Sequence, residues 1–140
     1  VGITVGALVL GLGFSRLPSL RETYPLYLPA RTSLMAFALS TAVFGVYGFT
    51  WELYFRGLWV FALGGVGPSP RRTAALLMHA ALFTLAHLDK PRVEIALAFP
   101  GALLAALYAL RARSMLAPFA AHLALAFGVN VGAVLARLSS

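Results

Sequence analysis

Five apolar runs, each closed by a short polar or proline-containing stretch, organise the chain. The first, VGITVGALVLGLGF, ends near Phe14. Ser15 to Ser33 holds Pro18, Pro25 and Pro29 together with Arg16, Arg21, Glu22 and Arg31. That composition predicts a loop or a short interfacial segment, with Tyr24 and Tyr27 at headgroup depth. The second run extends from Leu34 to about Val66. At about 1.5 Å per residue it exceeds a hydrocarbon core of about 30 Å, so it must tilt, kink or protrude. Gly64 to Arg72 (GGVGPSPRR) stops it. The third run, Thr73 to Leu88, is short for a full span and is broken by Asp89-Lys90-Pro91-Arg92. The fourth, Val93 to Leu110, carries Pro100 near its middle, where a kink is expected. Arg111 to Ser114 marks a turn, and the fifth run covers Met115 to Leu138. The runs are long, rich in Ala and Leu, and lack period-two alternation, which argues against strands. The expected fold is all-α: a polytopic transmembrane bundle of about five helices, forming a single membrane domain over 1–140. The first run, apolar from its first residue and without a basic start, reads as the tail of a helix that begins upstream rather than as a signal peptide.

Composition supports a membrane solvent. Of 140 residues, 61% are hydrophobic and only 11% charged, against roughly 25% charged in soluble domains. The net charge of +7 raises a nucleic-acid reading. The basic residues answer it: apart from Arg56, they lie mostly between or at the ends of the apolar runs, where membrane helices carry their flanking charges. Membrane lipid, not nucleic acid, is the expected partner. With no cysteine, the chain has no disulfide and no thiolate nucleophile or ligand.

Few ionisable residues lie inside or at the edge of the runs: Glu52, Arg56, His79, His87, Glu94 and His122. A charge at the centre of a membrane helix costs at least about 2.5–3.5 kcal/mol on insertion scales, so such residues usually face a partner, a cavity or a pathway. Glu52 and Arg56 are four apart and share a helix face, as an ion pair would. A purely structural pair fixing helix packing is the plainer account of them. His87 and Glu94 flank the Asp-Lys-Pro-Arg turn and can approach one another. His79 lies eight residues before His87 on a broad common face. Carboxylates with imidazoles suit the activation of water, in which a carboxylate is the general base and neutral imidazoles polarise the water or bind a divalent metal such as zinc. The HExxH spacing of zinc peptidases is missing. Proton or ion transport is a competing use of the same residues.

Three segments in order, Trp51 to Gly57, Phe83 to His87 and Ser114 to His122, together resemble the motifs of the bacterial CAAX-protease-like intramembrane peptidases (the CPBP, or Abi, family), which share a fold with the type II CAAX prenyl protease. Trp51 to Gly57, WELYFRG, resembles the family's Glu-Glu-x-x-x-Arg motif, which often continues as Phe-Arg-Gly. Phe83 to His87, FTLAH, resembles its Phe-x-x-x-His motif. Ser114 to His122, SMLAPFAAH, resembles the turn that leads into its His-x-x-x-Asn/Asp motif. The likeness covers roughly Leu34 to Val131. It implies an integral protein of a bacterial or archaeal cytoplasmic membrane that hydrolyses peptide bonds of peptide or membrane-protein substrates. The site it implies comprises Glu52, Arg56, His87, Glu94 and His122. His87, His122 and Glu94 are the residues expected to bind a metal if one takes part.

Two positions depart from the family pattern. The first glutamate of the pair, the family's catalytic base, is Trp51, and the residue four after His122 is Ala126, with Asn130 a further turn on. His87 to Glu94, HLDKPRVE, resembles a subgroup that couples Trp-Glu-x-x-Phe-Arg-Gly with His-x-x-Lys-Pro-x-x-Glu. In that reading Glu94 replaces the missing base; the plainer reading is an acid in the first turn of a helix. Lys90 and Arg92 read as loop charges. The alternatives are a catalytically inactive relative, serving as a scaffold, immunity or partner-binding protein, and a small transporter.

Overall fold

A computed structural model describes residues 1–65 and 67–139. They form six α-helices, with no strand among the described residues: α1 Gly2–Phe14, α2 Pro18–Thr23, α3 Leu34–Glu52, α4 Pro70–Leu85, α5 Arg92–Ala112 and α6 Leu116–Leu138. The five apolar runs each supply a helix. The sixth is α2, which starts with Pro18 at a first-turn position inside the expected loop. Proline costs nothing there, because the first-turn N–H has no intrahelical acceptor to lose. A 3₁₀ turn, Leu28–Arg31, follows.

The over-long second run changes its winding. After Glu52, α3 passes directly into a π-helix, Leu53–Leu63, in which hydrogen bonds reach five residues back instead of four. The bond from Gly64 N to Trp59 O, 3.1 Å, is the last of that kind. Together α3 and the π-helix make an apolar stretch of 30 residues. That stretch, α5 and α6 are long and apolar enough to cross a membrane, by length and composition. Helix α4, at 16 residues, is shorter. Its start is fixed locally: Ser69 Oγ accepts from Arg72 N at 3.1 Å, with Pro70 at the first position. Arg113, with φ 51°, ends α5 in the left-handed region. Ser114 Oγ then accepts from Leu116 N at 3.1 Å as α6 begins.

The chain forms two compact units, residues 1–48 with 120–140 and residues 49–119. In the first, α1 and α6 cross backbone to backbone. A methyl group on Gly128 would stand 2.5 Å from Leu8 O and 3.0 Å from Leu12 N, and one on Gly11 would meet Leu125 O and Val129 N. Small residues permit this approach, the usual means by which apolar helices associate in lipid. Near its end, α6 holds α2 through Arg137, whose Nη1 donates to Tyr24 O at 2.7 Å and whose Nη2 donates to Arg21 O. Arg31 adds bonds to the carbonyls of Glu22, Thr23 and Pro25. These arginines cap the C-terminal carbonyls of α2, which the helix itself leaves without donors.

In the second unit, α4 packs on α5 and on the π-helix. The small stripe Ala98, Ala102, Ala106 and Ala109 of α5 is buried. Phe55, Ala80, Phe83, Ala98 and Ala102 form its core, with Trp51, Leu82 and Leu103 packed against them.

Candidate active site

Glu52 ends α3, and Arg56 lies in the first turn of the π-helix. Arg56 Nη1 donates to Glu52 Oε1 at 3.0 Å, and the two side chains are 2% and 0% exposed. The pair expected from the four-residue spacing is therefore formed and dry. Removing two charges from water costs several kcal/mol per ion, so the pair persists only because its partners are fixed by close packing. Part of that packing is Phe83, whose ring centroid lies 4.9 Å from Arg56 Cζ. A cation over an aromatic face recovers some of the lost solvation.

Helix α4 presents Ala75, His79 and Phe83 at successive four-residue steps, all buried. His87 continues that spacing just past the helix end. Its Nδ1 lies 2.7 Å from Phe83 O. A carbonyl oxygen can only accept, so Nδ1 carries the proton, and the lone pair of the neutral ring is on Nε2. The ring stacks on Phe83, centroids 4.4 Å apart, and the indole of Trp51 stands edge-on to it at 6.0 Å. Trp51 also packs on Phe55 and Phe83. The residue in the place of the family's first glutamate is thus an aromatic wall beside His87.

Glu94 lies in the first turn of α5, in the same unit as Glu52, Arg56 and His87. Its carboxylate atom Oε1 is buried. By contrast, Asp89 and Lys90 form an exposed pair, Nζ donating to Oδ2 at 3.1 Å. That bond to Lys90 holds the Asp89 carboxyl below its ordinary range. These two are loop charges. His122 sits on α6 within the first unit, half-buried. Asn130, a turn beyond Ala126, donates its amide to Ala126 O at 2.7 Å and so serves its own helix.

The model of the family described as Type II CAAX prenyl endopeptidase Rce1-like matches residues 32–128, more than half of the chain. The chain belongs to that family. No curated protein and no solved structure matches it. Membership in a family of CAAX prenyl endopeptidases, with three helices capable of spanning, makes this an integral membrane protein of an intramembrane protease family.

Among the described residues no group of three or more His, Cys, Asp or Glu is placed to hold a metal ion. Of the expected ligands, His87 and Glu94 belong to one unit and His122 to the other.

The sequence reading gave His79 no committed place. It is 0% exposed, and its ring lies by the Leu76 backbone of its own helix. It packs on Phe55 at 5.6 Å and on Phe83 at 6.2 Å, and the charge of Arg56 acts on it. The spacing His79-Phe83-His87 was the available signal.

Proposed function

We propose that this CAAX-protease relative is an intramembrane endopeptidase of a bacterial or archaeal cytoplasmic membrane that cleaves peptide bonds with water activated by Glu94 and His87. One observation carries the reading: His87 is held in a single tautomer by Phe83, stacked and oriented, in the same unit as a second acid whose carboxylate is partly buried. Glu52 is less suited to be the base, because its Oε1 is engaged by Arg56.

In the proposed reaction the Glu94 carboxylate takes a proton from water as the water oxygen bonds to the scissile carbonyl carbon. His87 Nε2 accepts the water's other proton in a hydrogen bond, aiming the oxygen lone pair. The C–N bond then breaks, and the proton held by Glu94 passes to the departing amine. The Arg56 charge, fixed by Glu52, adds favourable potential for the developing oxyanion.

The test is cleavage of quenched fluorescent peptides and a membrane-protein substrate by protein in liposomes. Wild-type turnover should fall about 10²–10⁴-fold in Glu94→Gln and His87→Ala, the usual range for losing a general base or its partner. A second reading, a catalytically silent family member that binds a membrane partner, is favoured by one observation: the Trp51 indole occupies the wall beside His87. Wild-type protein with no turnover over background would select it.

A further inference from the structure

The first unit carries four arginines, Arg16, Arg21, Arg31 and Arg137, against one acidic side chain, Glu22. Two of the guanidiniums meet on one short run of backbone. Arg137 donates from Nη1 to Tyr24 O at 2.7 Å and from Nη2 to Arg21 O. Arg31 donates from Nη2 to Glu22 O and Thr23 O, each at 2.9 Å, and from Nε to Pro25 O at 3.1 Å. The consecutive carbonyls of residues 21 to 25 thus hold both heads. A carbonyl is a dipole: it fixes a guanidinium in place and leaves its charge uncancelled. The charges of Arg21 and Arg31 both act on Arg137, and Arg21 is itself exposed. Like charges held together repel, and an anion among them relieves that repulsion.

The surroundings narrow the kind of anion. Arg137 is the penultimate residue of α6, which is long and apolar enough to cross a membrane. The cluster therefore stands where α6 leaves the hydrocarbon. Beside it, on the loop between α2 and α3, Leu26, Tyr27 and Leu28 are each more than half exposed. Next to a bilayer such leucines bury among acyl chains while the arginines stay at headgroup depth. Cations beside an apolar protrusion match a ligand with an anionic head and hydrocarbon tails. Guanidinium N–H groups suit phosphate oxygens in particular. Free phosphate lacks the tails, and a zwitterionic lipid brings its own cation to the head.

We propose that Arg21, Arg31 and Arg137 form a binding site for the phosphate head of an anionic lipid, with Leu26 and Leu28 against its acyl chains. The site shares no residue with the water-activating pair, and its test does not use cleavage, so the two readings stand or fall separately.

The experiment follows the arginine Nε–H signals by NMR in the full chain, ¹⁵N-labelled at arginine, in maltoside micelles. The protein is titrated separately with dihexanoyl phosphatidylglycerol, dihexanoyl phosphatidylcholine and inorganic phosphate. In wild type, phosphatidylglycerol should shift Arg21 and Arg31 to saturation, while phosphatidylcholine, with the same chains, and phosphate should not do so over the same range. Arg21→Gln removes an exposed charge and leaves the carbonyl contacts of Arg31 and Arg137 in place. It should raise the phosphatidylglycerol midpoint about fivefold, the factor for one arginine at an anionic surface. Arg111→Gln removes an exposed charge from the second unit and should leave the midpoint unchanged. If the variants do not fold, the wild-type contrast between the two lipids decides. Equal responses to both lipids overturn the proposal, as does a midpoint that Arg21→Gln leaves unmoved. Equal losses in Arg21→Gln and Arg111→Gln would mean diffuse attraction without a site. Saturation by inorganic phosphate at the same midpoint would mean an anion site indifferent to lipid. Either of these also overturns it.

Discussion

Replacing one member of the Glu52–Arg56 pair should be far worse than replacing both. At the observed 3.0 Å, with an effective dielectric of about 20, the attraction between unit charges is of order 5–6 kcal/mol. The net worth of the pair is smaller, because both ions have been taken out of water. What a single substitution loses is the attraction, while the desolvation of the remaining ion persists. Glu52→Leu or Arg56→Met alone should therefore cost about 3–5 kcal/mol. The double variant Glu52→Leu/Arg56→Met removes both charges and should return to within about 1–2 kcal/mol of wild type, or exceed it. Equilibrium unfolding in mixed micelles, followed by tryptophan fluorescence, measures this directly. Trp51 and Trp59 flank the pair and are the two tryptophans of the chain. The peptidase assay adds a second axis: the stable double variant should remain catalytically impaired, because the proposed reaction uses the Arg56 charge. Additive losses, with the double variant worse than either single one, would refute the reasoning. So would single losses under about 1 kcal/mol, which would mean that the pair is hydrated.

Three further outcomes follow from the geometry. Gly128→Val should cost about 1–3 kcal/mol by overpacking, because its Cβ would sit 2.5 Å from Leu8 O; thermal unfolding checks the loss, and proteolysis should show α1 released first. Arg137→Met removes the donors to Tyr24 O and Arg21 O, so amide exchange in residues 18–31 should accelerate while that of α4 and α5 stays unchanged. Asp89→Asn removes an exposed pair, and the unfolding midpoint at neutral pH should not move, as is usual for surface ion pairs.

Much of this architecture could be read from the chain because lipid leaves so few options. Backbone polar groups in a bilayer must be satisfied internally, so each long apolar run had to be a helix, and the ends at Phe14 and Leu138 follow from where polarity begins. The π-winding after Glu52 was not legible. The run is apolar on both sides of Leu53, and nothing in its periodicity separates four-residue from five-residue bonding. Helix α2 was hidden by the same prolines that made its neighbourhood look like a loop, yet Pro18 suits a first turn and Pro25 follows the helix end closely. The α1–α6 crossing had a signal in Gly128-x-x-x-Gly132, but a small-residue spacing does not name the helix it will meet.

The site was legible in part for a different reason. Charged residues in apolar runs are costly enough to be conspicuous, so Glu52 and Arg56 could be paired from spacing alone. His87 stood out through its motif, but its fixed tautomer depends on a carbonyl four residues back and is visible only with coordinates. His79 looked like an ordinary packing histidine. Its full burial against Phe55 and Phe83 is a tertiary fact.

The central claim is that Glu94 is the base of a working peptidase, and one comparison tests it most directly. Wild-type and Glu94→Gln protein, reconstituted at equal density in liposomes and matched for thermal stability, are assayed on the same quenched peptide substrates. The account predicts measurable wild-type turnover and a fall of at least about 10²-fold in the variant. Equal turnover in the two proteins would contradict it.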